Sequence, residues 1–391
     1  MIEGAKVRVL RTREEIESLR DFWQSCRPGR DADLDFYLFI ADLYPETLRP
    51  HVVAFYDRDG PKALLAGRLD ICRLPIKIGY TALPLPTVKV LRFVHGGYLG
   101  EVSETTTKSL IESVSSSLSN NEADVAMLEH IDLGSPLARF ARRSSSWLCS
   151  DHLVQPETHR LRDLSGIDGL FLASLSKKER YHQRSRREKI FNDYPSSNIR
   201  LFSEQDEVEH LIRDAESVAR KSYQRGIGVG FAESPILRAR LDFEAKQGWL
   251  RGYVLYLDGK PSAFWIGTLR DQVFFSNYLA FDPTDAAYGP GLYLIIEVIE
   301  KMCVHSAGGA KLATQIDFGI GDASYKDRLS NSSREESVIY IFAPRVKAVC
   351  MNMLRSLAGA MNGSAKRLLR LTPFFESVKR KLRTSATPGK G

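Results

Sequence analysis

The chain has 391 residues, 43% of them apolar, with 17 prolines; this predicts two domains of about 150 to 200 residues and excludes a disordered protein. Five scattered cysteines (Cys26, Cys72, Cys149, Cys303, Cys350) form no disulfide framework and no zinc-ligand spacing. The formal charge of +7 sits in the tail, where Ala343 onward carries 11 Lys or Arg against one Glu and leaves the remainder near −3.

No apolar run of signal-peptide or membrane-span length is visible, so a cytoplasmic protein is expected. The basic tail is either a solvated helical end or a contact for nucleic acid or an anionic membrane surface, the last placing the protein peripheral to the inner membrane. Lys6–Leu10 reads as a strand. Thr12 and Glu15 form a capping-box pattern ahead of a helix. A second helix covers Leu34–Leu43, ended by Pro45. His51–Tyr56 and Ala63–Leu69 flank an Asp59-Gly60 turn as a hairpin. Residues 71–90 are broken by prolines and resist assignment. Leu91–Leu99 is a strand, Thr105–Leu118 a helix, and Asp124–Leu128 a strand followed by His130.

The same design recurs about 200 residues later. Gly252–Leu257 and Ser262–Leu269 flank Asp258-Gly259, and strand, helix and strand follow in Val273–Phe281, Leu292–His305 and Leu312–Phe318. This predicts two copies of one αβ unit. Only the second carries Gly289-Pro290-Gly291 ahead of its helix. A glycine-rich turn at a helix start presents free N–H groups to an anion.

Between the copies, Trp147–Arg160 is a connector. Ser176 and Glu179 form another capping-box pattern, opening the helix KKERYHQRSRREKIF. Lys177, Arg180, Arg184 and Arg187 share one face of it, which is either solvated or guides an anionic substrate or donor. Gln205–Tyr223 has an amphipathic stripe. Ser234-Pro235 starts a helix that Gly248 ends. Ser337–Phe342 is a strand, a basic helix follows from Arg345, another lies near Pro373, and the last residues read as disordered.

The pieces ERYHQRSRREK, the hairpin at Asp258-Gly259, Tyr278–Pro283, Tyr288–Gly291 and Ile316–Lys326 together resemble the acetyltransferase domain of the FemAB-like, CelD-like branch of the GNAT superfamily. The resemblance covers the second half strongly and the first half loosely. It implies an α/β fold of tandem GNAT-like domains, each a twisted mixed β-sheet flanked by helices. The expected division is a degenerate domain over 1–160, an acyltransferase domain over 161–345 and a basic helical tail over 346–391. The activity implied is N-acyl transfer from acyl-CoA or acetyl-CoA to an amine of a small molecule or envelope precursor. The superfamily's pyrophosphate loop usually carries an arginine before its glycines. Here the loop Asp285–Gly291 has none, and Pro290 removes one donor.

On these residues, Tyr288, Gly289, Gly291 and Leu292 are expected to hold the donor's pyrophosphate, and Asn277, Tyr278 and Leu279 its acyl carbonyl. Asp317 or Asp322 would orient or deprotonate the amine. Tyr325 would protonate the leaving thiolate, and Lys326 would pair with phosphate or Asp322. Two alternatives stay open: a non-catalytic scaffold of envelope-polymer synthesis, and a tRNA-dependent aminoacyl transferase. The latter lacks its long helical hairpin here, so nucleic acid is not an expected partner. No metal site is expected.

Overall fold

The computed structural model describes residues 6–78, 81–143, 146–167, 171–222, 225, 230–304, 311–321 and 323–370. Among these, the part before Thr158 together with Glu335 onward forms one compact unit, and Thr158–Arg334 the other. The expectation of two domains each with its own sheet is overturned. Twelve strands hydrogen-bond in one order, β1-β2-β3-β6-β7-β14-β8-β13-β12-β11-β10-β9. The physical reason is β14 (Ser332–Phe342), which the sequence shows only as a short solitary strand. It is eleven residues long, pairs antiparallel with β7, and leaves no exposed edge at which a sheet could end there.

The first unit opens with β1 (Lys6–Leu10), whose N-terminal neighbours lie outside the described residues. Thr12 caps α1 (Arg13–Glu17) with the reciprocal Glu15 bond, and α2 (Arg20–Ser25) and α3 (Leu34–Leu43) follow. The long hairpin β2 (Thr47–Asp57) and β3 (Gly60–Cys72) comes next. Among the described residues the proline-rich stretch adds a short antiparallel pair, β4 (Lys77–Ile78) with β5 (Thr81–Ala82). Then come β6 (Val88–Gly100), α4 (Glu104–Ser119), β7 (Val125–Asp132) and α5 (Pro136–Arg143). The helices cover both faces of these strands. Trp23, Tyr37 and Val52 belong to one core, and Leu110, Val125 and Phe342 to the other.

The second unit contains β8 (Glu157–Asp163), α6 (Lys177–Asp193), β9 (Asn198–Phe202), α7 (Val208–Ala219) and α8 (Pro235–Lys246). Ser234 caps α8 by accepting the Leu237 N–H, with Pro235 at its first position. β10 (Leu250–Leu257) and β11 (Lys260–Arg270) are joined by Asp258 and Gly259, both at positive φ, as a two-residue hairpin requires. β12 (Val273–Phe281), α9 (Pro290–Cys303), β13 (Gln315–Ile320) and α10 (Ser324–Leu329) complete it. Along β11, Phe264 and Ile266 enter the core under α7 and α8, whereas Ala263 and Trp265 enter the core under α9. Burial on both faces explains why this strand reads as an unbroken apolar run.

The chain then returns to the first unit through β14 and α11 (Val346–Arg370). The segment near Pro373 and the C-terminal end lie outside the described residues. The predicted repeat is visible in the connectivity. Both β2-β3-β6-α4-β7 and β10-β11-β12-α9-β13 run as two antiparallel pairings, a helical crossover and a parallel pairing.

Candidate active site

The parallel ladder between β12 and β13 is only three residues long: Val273, Phe274 and Phe275 face Gln315, Ile316 and Asp317. Beyond Phe275 and Asp317 the strands part. Each carries an extra residue at the point of divergence. On β12, Tyr278 faces Ile266 and Ser276 faces Gly267, which leaves Asn277 as a bulge. On β13, Asp317 faces Leu161 and Gly319 faces Arg160, which leaves Phe318 as a bulge. A bulge bends its strand and raises local twist, so two of them back to back open a wedge. Backbone groups of a strand alternate between its two sides, so every other N–H and C=O of 276–281 turns toward the side β13 has left.

A cavity of about 250 Å³ fills the wedge. Its walls are Ser276–Leu279 on one side and Phe318, Ile320 and Gly321 on the other, with Ala323, Tyr325 and Lys326 from the start of α10 and Gly230 beyond them. Tyr325 packs edge-on against Phe318, at 6.1 Å between ring centroids. Burial pushes its phenol up to about 12, against a smaller opposing effect of its hydrogen bond with Ser276. Ser276 in turn accepts a 2.8 Å hydrogen bond from the Trp265 indole. Lys326 is buried and donates from Nζ to the Ile320 carbonyl at 2.6 Å.

Asp317 stands behind this wall and is not among the cavity-lining residues. Its Oδ1 lies 2.6 Å from His159 Nε2 and accepts the Gly319 N–H at 2.7 Å. Gly319 has φ +67, a conformation that L side chains rarely adopt. The carboxylate thus pins the turn that carries β13 away from β12. Asp322 lies outside the described residues.

The other predicted residues gather at the N-terminus of α9. Gly289 is its N-cap at φ +59, no side chain caps it, and Pro290 occupies the first position. The N–H groups of Gly291 and Leu292 therefore face outward from the helix start. The Tyr288 hydroxyl donates to Asp193 at 2.9 Å, and Lys189 Nζ stands 4.6 Å from the Tyr288 ring centroid. These four residues do not line the wedge cavity, although Leu279, Tyr288, Leu292 and Tyr325 all pack on one hydrophobic cluster.

A basic side chain from another element stands beside this loop. The Arg186 guanidinium on α6 lies 2.9 Å from where a Cβ on Gly289 would sit. It donates to the Gln183 side-chain oxygen Oε1 at 3.2 Å, and the Gln183 side-chain amide donates in turn to Glu297 on α9. Burial pulls the Arg186 guanidinium below its ordinary range. A cation beside a helix N-terminus adds to the positive end of the helix dipole, so this corner holds two positive potentials side by side, with the Glu179 carboxylate near enough to offset part of the Arg186 charge. The expected stripe is otherwise engaged or solvated: Arg187 pairs with Glu297, Arg180 donates to the Ala173 and Leu175 carbonyls, and Arg184 is exposed.

The first unit has the corresponding divergence but different contents. Its β6–β7 parallel ladder stops at Phe93 and Leu128. His95 follows, 3.7 Å from Asp31 and 3.6 Å from Glu336. Burial alone disfavours the imidazolium, yet the two carboxylates raise it to about 9. At α4, Ser103 accepts the Thr106 N–H and closes the helix N-terminus that α9 leaves open.

Residues 177–327 match the family described as "Acetyltransferase (GNAT) domain". No curated protein matches the sequence. Among solved structures, FemX superposes with a TM-score of 0.56 at 11% identity, covering 86% of this chain and 98% of that one. A tandem GNAT protein from the clavulanic acid biosynthesis pathway gives 0.49 at 10% identity over 87% and 99% of the two chains. The C-terminal domain of a putative lysylphosphatidylglycerol synthetase from Agrobacterium fabrum gives 0.47 at 12% identity over 87% and 96%. The family match and the FemX superposition together show that this chain has the GNAT-superfamily acyltransferase fold.

Proposed function

We propose that the protein transfers an acyl group from acyl-CoA to an amine, and that the second unit alone does so. The observation that carries this reading is the wedge: β12 and β13 part at paired bulges around a cavity of about 250 Å³, into which an amide-bearing thioester arm would enter. Such an arm gains main-chain hydrogen bonds by lying along the exposed edge of β12. The donor's pyrophosphate would sit at the N-terminus of α9 beside Arg186.

The step joins the amine nitrogen to the thioester carbon, breaks the carbon–sulfur bond and returns the amine's proton to the departing sulfur. Backbone N–H groups of Asn277–Leu279 would hold the oxyanion. Tyr325 would donate a hydrogen bond to the leaving thiolate. With its phenol near 12, complete proton transfer to a thiolate of ordinary basicity (about 8.5) is uphill. Its role is stabilisation of charge rather than delivery of a free proton. Asp317 would act as a positioning residue through Gly319, and Lys326 by fixing Ile320. The residues that carry the FemAB-like, CelD-like resemblance support an acceptor among envelope or polysaccharide precursors.

Thiol release from acetyl-CoA, measured across a panel of amines, tests this. Tyr325→Phe should lower kcat on the order of a hundredfold with little change in donor KM. The proposal fails if no acyl-CoA binds and no amine elicits thiol release.

A further inference from the structure

Helix α6 has a second, outward face. Its inner stripe is Glu179, Gln183, Arg186 and Ile190, the first two and the last buried. On the opposite side Lys177, Tyr181, Arg184, Glu188 and Phe191 follow one another at helical spacing, with Lys178 flanking them. Tyr181 is 69% exposed and Phe191 70% exposed. Lys177, Lys178 and Arg184 make no ion pair with any described residue. The helix as a whole carries seven Lys or Arg and three acids, and two of those acids are committed elsewhere, Glu179 to Arg328 and Asp193 to Tyr288.

We infer that this face docks the protein on a membrane surface rich in anionic phospholipid. The charge fits. Unpaired Lys and Arg near an anionic leaflet are each drawn to its negative surface potential, an attraction that Debye screening weakens at high salt. The two aromatics fit as well. A phenylalanine gains nothing from water at 70% exposure, but a ring on a convex helix can enter the headgroup layer while neighbouring lysines reach outward. Single-stranded nucleic acid would instead ask for aromatics set in a groove that tracks the backbone. These residues stand on the outside of a helix.

Full-length protein would be sedimented with phosphatidylcholine vesicles, with and without phosphatidylglycerol. Binding to the anionic vesicles alone, weakened by salt, is expected. A Lys177→Gln, Lys178→Gln, Arg184→Gln triple variant should lose on the order of a hundredfold in partitioning. Tyr181→Ser with Phe191→Ser should weaken binding at every salt concentration. Thermal melting would confirm that both variants, altered only at exposed positions, remain folded. The inference is overturned if wild type ignores anionic vesicles, if both variants bind them as wild type does, or if the same variants lose binding to homopolymer RNA while vesicles are never bound.

Discussion

Replacing Arg186 by Gln tests the proposed donor site at the point where the loop departs from its relatives. The side chain lies 2.9 Å from a Cβ position on Gly289 and is half-buried. Among the described residues its one hydrogen bond is to the Gln183 side chain, and glutamine keeps most of the stem that packs there. The loss is therefore one charge-assisted contact to a diphosphate, about 1.5–3 kcal/mol, or roughly 10- to 150-fold in affinity. Isothermal titration should show that weakening for acetyl-CoA. Acetyl-pantetheine has no diphosphate, so Arg186→Gln should leave its affinity within about twofold. Gly289→Ala perturbs the same contact from the other side, since its Cβ meets Arg186 and its φ of +59 strains an alanine. The two substitutions share one contact and should be non-additive in acetyl-CoA binding. Equal losses for acetyl-CoA and acetyl-pantetheine, or no loss for either, would refute the assignment of Arg186.

Other consequences concern stability. A Cβ at Gly267 would lie 2.4 Å from the Phe275 carbonyl oxygen and 2.3 Å from the Phe274 ring. Backbone cannot step aside cheaply, so Gly267→Ala should cost about 1–3 kcal/mol in urea unfolding and shift the register of the bulge at Asn277; an unchanged midpoint would contradict that packing. His95 should make stability fall with rising pH. Its imidazole titrates near 9 when folded and near 6.5 when free, so its contribution is complete below 6.5 and disappears as pH passes through 9. The loss is up to about 3 kcal/mol, and His95→Gln should remove it. His51 acts in the opposite sense: burial, with Arg49 beside it, holds it down near 4, so stability should rise from about pH 4 to 6.5. Because Tyr325 stays protonated to about 12, turnover should show no basic limb near pH 10 from this residue; such a limb, absent in Tyr325→Phe, would contradict its burial.

Much of the second unit was legible because its signals are local. Val273–Phe281 is a strand as the sequence reads it, Ser234-Pro235 caps as expected, and Gly289-Pro290-Gly291 opens a helix. The single sheet was not legible, because strand neighbours far apart in sequence leave no local mark, and β14 reads alone as a short apolar run. Helix α5 was missed because its eight residues make little more than two turns, although Leu137, Ala138 and Ala141 do share one buried face. Arg186 was overlooked because the charged stripe drew the reading to Arg180, Arg184 and Arg187. A signal was present: Ile190 is the one aliphatic residue of α6, and stepping back four, seven and eleven residues from it gives Arg186, Gln183 and Glu179, the inward face. His159 had no signal, since its partner Asp317 is 158 positions away.

A thioester donor lying in the wedge between β12 and β13 would shield the backbone of β12 from solvent. Hydrogen–deuterium exchange of the full-length protein with and without acetyl-CoA reads this directly. Added donor should slow exchange at the amides of Ser276–Leu279 and of Gly291–Leu292, and leave His95–Gly100 of the first unit unchanged. No protection at Ser276–Leu279 with saturating donor, or protection confined to the first unit, would contradict the account.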